Sequence, residues 1–339
     1  MDEPAPPIVA TVPARAALAG NPSDGYGGAV FAVPVPAYRA TVRLDSIERG
    51  YELVDAHSGR ARYGRWTDLE QAMTSATARS PHCLLLGVVA EVAGRNGTLA
   101  PFRLSADTTI PRSVGLAGSS AIIISSLRAL MRSVDDAMNT DELAAAALAI
   151  EVQRLGIAAG LQDRVVQAYG TPMLMQFGPE SIRYGPGIFT PVRASGQLHL
   201  FTASRATASE PSQIVHGGLR ARFHSHDQTV IDAMPILADC AVDAAAAFAA
   251  GDVVRLGAAM DTTFDTRASI LQLARGHVEM IESARAAGAH ANFTGSGGSV
   301  VVLAPSADVE AAARQSLNKL GCVIVSIETA GPDAERETG

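Results

Sequence analysis

The stretch that most restricts what this chain can fold into is Pro111-Arg112-Ser113-Val114-Gly115-Leu116-Ala117-Gly118-Ser119-Ser120-Ala121, which opens into Ile122-Ile123-Ile124. A glycine-rich loop feeding an apolar helix gathers backbone N–H donors at the positive end of the helix dipole, an arrangement that suits phosphate. Ser119 and Ser120 add hydroxyls that can donate to phosphate or offer oxygen to a hard cation such as Mg2+. The lysine that closes the common P-loop is missing, and so is Gly-x-Gly-x-x-Gly spacing. From these residues alone, a serine-capped helix start with no ligand is an equal alternative.

Composition narrows the setting. A length of 339 residues suggests about two domains, and 47% hydrophobic against 18% charged residues allows a substantial core. The formal charge of -7 argues against a dedicated nucleic-acid binder. Lys319 is the only lysine, so any mechanism that needs one must use it. Cys83, Cys240 and Cys322 are too scattered for a disulfide framework or zinc cluster and fit a reducing compartment. The start has no basic and apolar leader, and no wholly apolar run reaches the ~18 residues of a membrane span. These features predict a soluble, cytoplasmic chain with no nucleic-acid or membrane partner.

Hydrophobic patterning predicts a disordered lead-in over residues 1–10, then a strand, a polar turn over Asn21–Gly28, and a proline-bearing edge strand over 29–44. A strand pair is expected over 50–65. Helices are expected over 68–93, 119–133, from Thr140 through Leu155, and over 161–168. Strands at 173–177 and 198–203 flank a Gly/Pro-rich boundary at 177–191. Beyond it come Ala-rich helices over 227–250 and 267–287, a strand at 300–303, a helix at 307–319, a strand at 322–327 and a loose tail from Gly331. Strands mixed with helices without strict alternation indicate an α+β chain in two halves.

Pro-x-x-x-Gly-Leu-x-x-Ser-Ser-Ala resembles the central motif of the GHMP small-molecule kinases. Two more motifs follow the family's order: Arg15-Ala16-Ala17-Leu18-Ala19-Gly20-Asn21-Pro22-Ser23-Asp24 and Phe293-Thr294-Gly295-Ser296-Gly297-Gly298-Ser299. Within the family, the chain is similar to the plant-type glucuronokinases. That likeness lies in Gly20–Gly28, Gly115–Ala121, Leu155–Val165, Ser212-Gln213-Ile214-Val215-His216 and Phe264-Asp265-Thr266-Arg267. It implies an N-terminal ribosomal-protein-S5-like domain over residues 10–185 and a C-terminal ferredoxin-like α/β-plait domain over 190–330. It also implies ATP with Mg2+, and transfer of phosphate to the anomeric hydroxyl of a sugar, D-glucuronate first. A different sugar acceptor, or a non-enzymatic sensor on the same scaffold, are the competing readings. A monomer or a homodimer is expected.

The resemblance also distributes roles. Asp163 stands where galactokinase-like members carry a catalytic aspartate, and a carboxylate beside Arg164 and Arg15 could align an acceptor hydroxyl and take its proton. Capping of its own helix is the ordinary fate of such an aspartate. Glu151 with Ser120 would hold Mg2+. Arg15 stands near the position of a lysine used by some members; it can stabilise a transferring phosphoryl group but is a poor proton shuttle. Pro111, Gly115, Leu116, Ala117, Gly118, Ser119, Ser120 and Ala121 would hold the nucleotide phosphates. Asn21, Asp24, Gly25, Tyr26, Gln162, Gly295, Gly297 and Gly298 are the expected sugar contacts. A uronate carboxylate needs a cation, for which Arg164 and Arg267 are both candidates. His224-Ser225-His226 and Trp66 carry no comparable signal for metal or adenine.

Overall fold

Two long strands rich in β-branched and small residues open the structure, β1 (Ile8–Ala19) and β2 (Ala29–Ser46). The structure, a computed structural model, describes residues 6–178, 187–205 and 212–329; side chains of the helix that starts at Ser212 are described from Gly218 onward. The chain packs as two units. One gathers the chain up to Ala14, Tyr38–Ile110 and Ala117–Gly170; the other gathers Arg15–Ala37, Pro111–Leu116 and the chain from Thr171. β1 and β2 therefore contribute to both.

In the first unit, β2 is followed by β3 (Tyr51–Asp55), β4 (Gly59–Tyr63), α1 (Trp66–Ser75), α2 (Cys83–Asn96) and β5 (Phe102–Thr108). β2 pairs antiparallel with β5, β5 parallel with β3, and β3 antiparallel with β4. Then come α3 (Gly118–Ser133), α4 (Thr140–Ala149) and α5 (Leu161–Tyr169), which pack on one another, with α2 also against α3. The single helix expected over 68–93 is two, because Pro81 stands in the break and cannot continue an i→i−4 ladder. α4 begins at Thr140, as expected, behind a capping box. Glu142 N donates to Asn139 Oδ1 at 2.9 Å, and Asn139 N donates to Glu142 Oε2 at 2.9 Å. Past Ala149 the helix widens into a π-helical turn, Ile150–Arg154.

In the second unit, β2 pairs antiparallel with β6 (Met173–Gln176), which pairs antiparallel with β7 (Ile188–Pro191). β2 is thus interior, not the expected edge strand. Its prolines, Pro34 and Pro36, fall between the β6 register, which ends at Ala32, and the β5 register, which starts at Ala40. Next come β8 (His199–Ser204), α6 (Ser212–His224), α7 (Gln228–Ala250), α8 (Val253–Ile270), α9 (Arg275–Ala286), β9 (His290–Phe293), β10 (Ser299–Ala304), α10 (Ala307–Lys319) and β11 (Val323–Ile327). The last four strands form an antiparallel sheet in the order β11-β8-β10-β9. Its core includes Phe201, Phe264, Met280, Ile281, Phe293, Val300, Val302 and Leu317.

The helix expected over 267–287 is instead the end of α8 and the whole of α9, and β9 was not foreseen. The first of the two expected helices ends where α7 does, at Gly251, which is left-handed; what was missed is that Asp252 at once caps a new helix, α8, through Arg255 N, and that α8 ends before α9 begins at Arg275. β1 starts at Ile8, inside the expected lead-in. α7 is long and apolar enough to cross a membrane by length and composition alone. One face of it is buried, and Asp232, Asp239 and Asp243 stand exposed on the other, the pattern of an amphipathic core helix. Residues 179–186 of the expected boundary, the side chains of Ser212-Gln213-Ile214-Val215-His216 and the tail from Gly331 lie outside the described residues.

Candidate active site

In the first unit, three short elements bring oxygen groups together. α3 starts from Ala117, whose φ of 61° turns the chain sharply into the helix. The two serines of the first turn then diverge, because consecutive helix residues point about 100° apart. Ser119, half-buried, donates its hydroxyl to Glu151 Oε1 at 2.7 Å. Ser120, wholly buried, donates to Gln167 Oε1 at 2.6 Å and to Ala117 O at 3.2 Å. Ser120, expected to hold Mg2+ with Glu151, turns its hydroxyl to Gln167, and Ser119 is the serine that meets the carboxylate. Gln167 also donates to Pro13 O and Ala117 O, at 3.1 and 2.8 Å, and so holds the loop end from below.

Glu151 lies on the π-helical turn and is fully buried. Its second oxygen meets Arg164 Nη2. Arg164 Nη1 donates to Gly160 O at 2.7 Å and to Asp163 Oδ2 at 3.1 Å. Burial works against the Arg164 charge, but Glu151 and Asp163 outweigh it and raise its pKa above the ordinary arginine value. Arg164 was a candidate for reading a substrate carboxylate; both of its terminal nitrogens are instead engaged within the chain, while its Nε has no hydrogen-bond partner among the described residues. Asp163, in the first turn of α5, keeps 19% of its side chain exposed. Gln162 beside it has a buried Oε1 with no hydrogen-bond partner among the described residues.

In the second unit, the glycines of two loops interlock. Gly115 has φ +73°, and a Cβ there would stand 3.0 Å from Ser296 N. A Cβ on Gly295 would lie 2.5 Å from Gly115 O and 3.1 Å from Arg15 Nη1. Arg15, nearly buried, donates from Nη1 to Gly115 O at 3.2 Å and to Thr294 O. Arg15 was expected beside a transferring phosphoryl group; the contacts of this nitrogen tie the Pro111–Leu116 segment to the Thr294–Ser299 loop. Gly297 and Gly298 are filled from behind by His277 and Val114, so packing decides their identity. Leu116 and Ala121, expected to help hold phosphate, are core side chains, while Pro111, Gly115, Ala117, Gly118 and Ser119 are only partly buried.

The turn after β1 is a 3-10 helix, Ser23–Tyr26. Ser23 fastens it by donating to Ala29 O at 2.8 Å and accepting from Ala29 N at 3.1 Å. Asn21 was expected to touch sugar, but it is buried and its amide is used on Phe293 O and Asn292, a structural role. Asp24, Gly25 and Tyr26 are partly exposed. The Tyr26 ring lies 4.7 Å from that of Phe223, and burial pushes its hydroxyl up to about 12, opposed by Arg220 and assisted by Asp24. Arg267 is wholly buried, donates from Nη2 to Gly295 O at 2.8 Å and lies 5.2 Å from the Phe293 ring centroid. Its Nε and Nη1 have no hydrogen-bond partner among the described residues. Burial lowers its pKa to about 10, Asp24 opposing and Arg15 adding to the shift.

Sequence reasoning did not assign Gln167 or Thr294. Thr294 donates from Oγ1 to Gly115 O at 3.1 Å. The available signal was a glutamine inside the otherwise apolar run Val165-Val166-Gln167-Ala168. Among the described residues, no group of three or more His, Cys, Asp or Glu side chains gathers as for a metal.

A loop-to-helix turn with serines, backed by a buried and a partly exposed carboxylate on an α+β frame, is the arrangement of a phosphate-handling class of proteins. The chain matches the GHMP kinases N terminal domain over residues 84–171 and the GHMP kinases C terminal region over 244–321. It is 33% identical over 313 residues to Glucuronokinase 1 of Arabidopsis thaliana, covering 86% of this chain and 83% of that protein. Lactococcus lactis galactokinase complexed with galactose shares the fold with a TM-score of 0.78 at 16% identity, covering 96% of this chain and 94% of that one. Streptococcus pneumoniae phosphomevalonate kinase in complex with phosphomevalonate and AMPPNP does so with a TM-score of 0.76 at 14% identity, covering 94% and 100%. The chain belongs to the GHMP kinase family. It is an ATP-dependent sugar kinase, and the family and fold implied by its three motifs are borne out.

Proposed function

We propose that the chain transfers the γ-phosphate of ATP to the anomeric 1-hydroxyl of D-glucuronate, giving glucuronate 1-phosphate and ADP. The relationship to Glucuronokinase 1 supports the substrate. The observation that carries the reading in this chain is Arg267, an enclosed guanidinium with two donor nitrogens unused and Asp24 and Arg15 in its field. A guanidinium with spare donors matches a carboxylate bidentately, which a neutral sugar lacks.

Chemistry of this kind is mostly positioning and electrostatics. Asp163 takes the proton of the 1-hydroxyl as its oxygen bonds to phosphorus and the bond to the β-phosphate oxygen breaks. Backbone N–H groups at the start of α3 hold phosphate oxygens. Ser119 and Glu151, an oxygen-only pair, suit Mg2+, which usually takes one or two protein ligands beside phosphates and water. When bound, such a cation neutralises charge on the transferring phosphates. Asp24 and Tyr26, partly exposed, serve the sugar hydroxyls.

The test is ADP release with ATP and Mg2+ against glucuronate, galacturonate, glucose, galactose and a manno-heptose. Turnover is expected with uronates only. Arg267→Met should raise KM for glucuronate by roughly ten- to a hundredfold, as for the loss of a charged hydrogen-bond partner of about 1.5–3 kcal/mol. Equal turnover of neutral sugars would overturn the acceptor assignment and leave the kinase intact.

A further inference from the structure

We infer that Arg164 is a positioning residue that locks the acid–base carboxylate, Asp163, to the cation-side carboxylate, Glu151, at one separation. The inference rests on the roles proposed above for those two residues. Its support is a continuous path: Ser119 Oγ to Glu151 Oε1, Glu151 Oε2 to Arg164 Nη2, and Arg164 Nη1 to Asp163 Oδ2. The path joins the first turn of α3, the π-helical turn and the first turn of α5. Arg164 Nη1 also donates to Gly160 O, the residue that caps α5, so the same guanidinium sets where the Asp163 helix begins.

Only a planar fork can do this. Two separate nitrogens serve two separate carboxylates, whereas a lysine ammonium presents its three donors from one point and cannot keep the carboxylates at the separation of the fork. Displacing a reacting group by about 1 Å can cost ~100-fold in rate. An ion pair that merely holds the fold would be equally well served by a lysine on either carboxylate, and catalysis would not depend on the fork.

The experiment compares wild type, Arg164→Lys and Asp163→Asn in the full chain. For Arg164→Lys we expect kcat to fall ~100-fold with KM for sugar within about threefold. Calorimetry of AMPPNP binding with and without Mg2+ should show the Mg2+-dependent tightening reduced about tenfold, since a misplaced charge-assisted ligand loses about 1.4 kcal/mol. Wild-type kcat and wild-type Mg2+ dependence in Arg164→Lys, with Asp163→Asn inactive, would overturn the positioning role alone. An active Asp163→Asn would overturn the acid–base reading and this inference with it. If Arg164→Lys does not fold, Arg164→Gln is titrated with guanidinium: recovery of turnover with guanidinium supports the inference, and turnover indifferent to it overturns it.

Discussion

Two buried arginines, one in each unit, sit in opposite circumstances. Arg164 has two carboxylates and a carbonyl on its terminal nitrogens, and its charge is strengthened. Arg267 has one carbonyl, an aromatic face and a weakened charge. Equal burial therefore says little about what an arginine does; the account of its donors does. Nε of both arginines has no hydrogen-bond partner among the described residues; the difference lies in the terminal nitrogens, both engaged in Arg164 and only Nη2 in Arg267. A guanidinium with both ends engaged orients other groups, and one with a free end is where an anionic ligand gains most.

The largest effect expected is on the Arg164 side. Asp163→Asn keeps shape but removes the proton acceptor, so turnover should drop by roughly 10²–10⁴-fold with ATP binding nearly intact. Single-turnover kinetics and nucleotide calorimetry check this, and an undiminished rate would remove Asp163 from the chemistry. Stability separates the arginines next. Arg164→Met strands the buried Glu151 carboxylate and unpairs the partly exposed Asp163, and should cost about 3–5 kcal/mol. Arg267→Met removes a poorly compensated charge and should change stability by about 1 kcal/mol or less. Denaturant unfolding of both variants decides it; equal losses would erase the contrast.

The contrast was only half visible in the sequence. The loop, Asp163, Glu151 and both arginines could be named, because glycine spacing and charged residues near it are written along the chain. Which serine meets Glu151 could not, since that depends on the rotation of α3 about its axis. Arg164 and Arg267 looked interchangeable because what separates them is which neighbouring element each guanidinium turns to, the π-helical turn with Glu151 in one case and the loop at Gly295 in the other. Asn21 and Arg15 were legible as polar residues in the right motifs. Their use on Phe293, Thr294 and Gly115 comes from contacts about 100 to 280 residues away in sequence. Among the elements, α8 was hidden by its poor helix formers, Val253, Val254, Gly257, Thr262, Thr263 and Thr266, which burial on the fold overrides.

The smallest effect sharpens the comparison most, because it uses proton affinity rather than mutation. With Arg267 lowered to about 10 and Arg164 raised, pH 10.5 discharges about three quarters of the first and leaves the second charged. Tyr26, at about 12, also stays in its neutral form. If Arg267 pairs with a uronate carboxylate, Kd for glucuronate should rise up to about fourfold between pH 8.5 and 10.5, read by calorimetry without nucleotide. The bound carboxylate would itself favour the charged arginine, so the rise begins at a higher pH as affinity increases. The folded protein gives up this proton before the unfolded chain does, so between about pH 10 and 12.5 the arginine itself makes stability rise with pH. A weakening of glucuronate binding in that window therefore cannot be unfolding driven by Arg267. Arg267→Met should abolish the pH dependence while keeping the fold, and a pH dependence unchanged in that variant would assign the carboxylate to another cation.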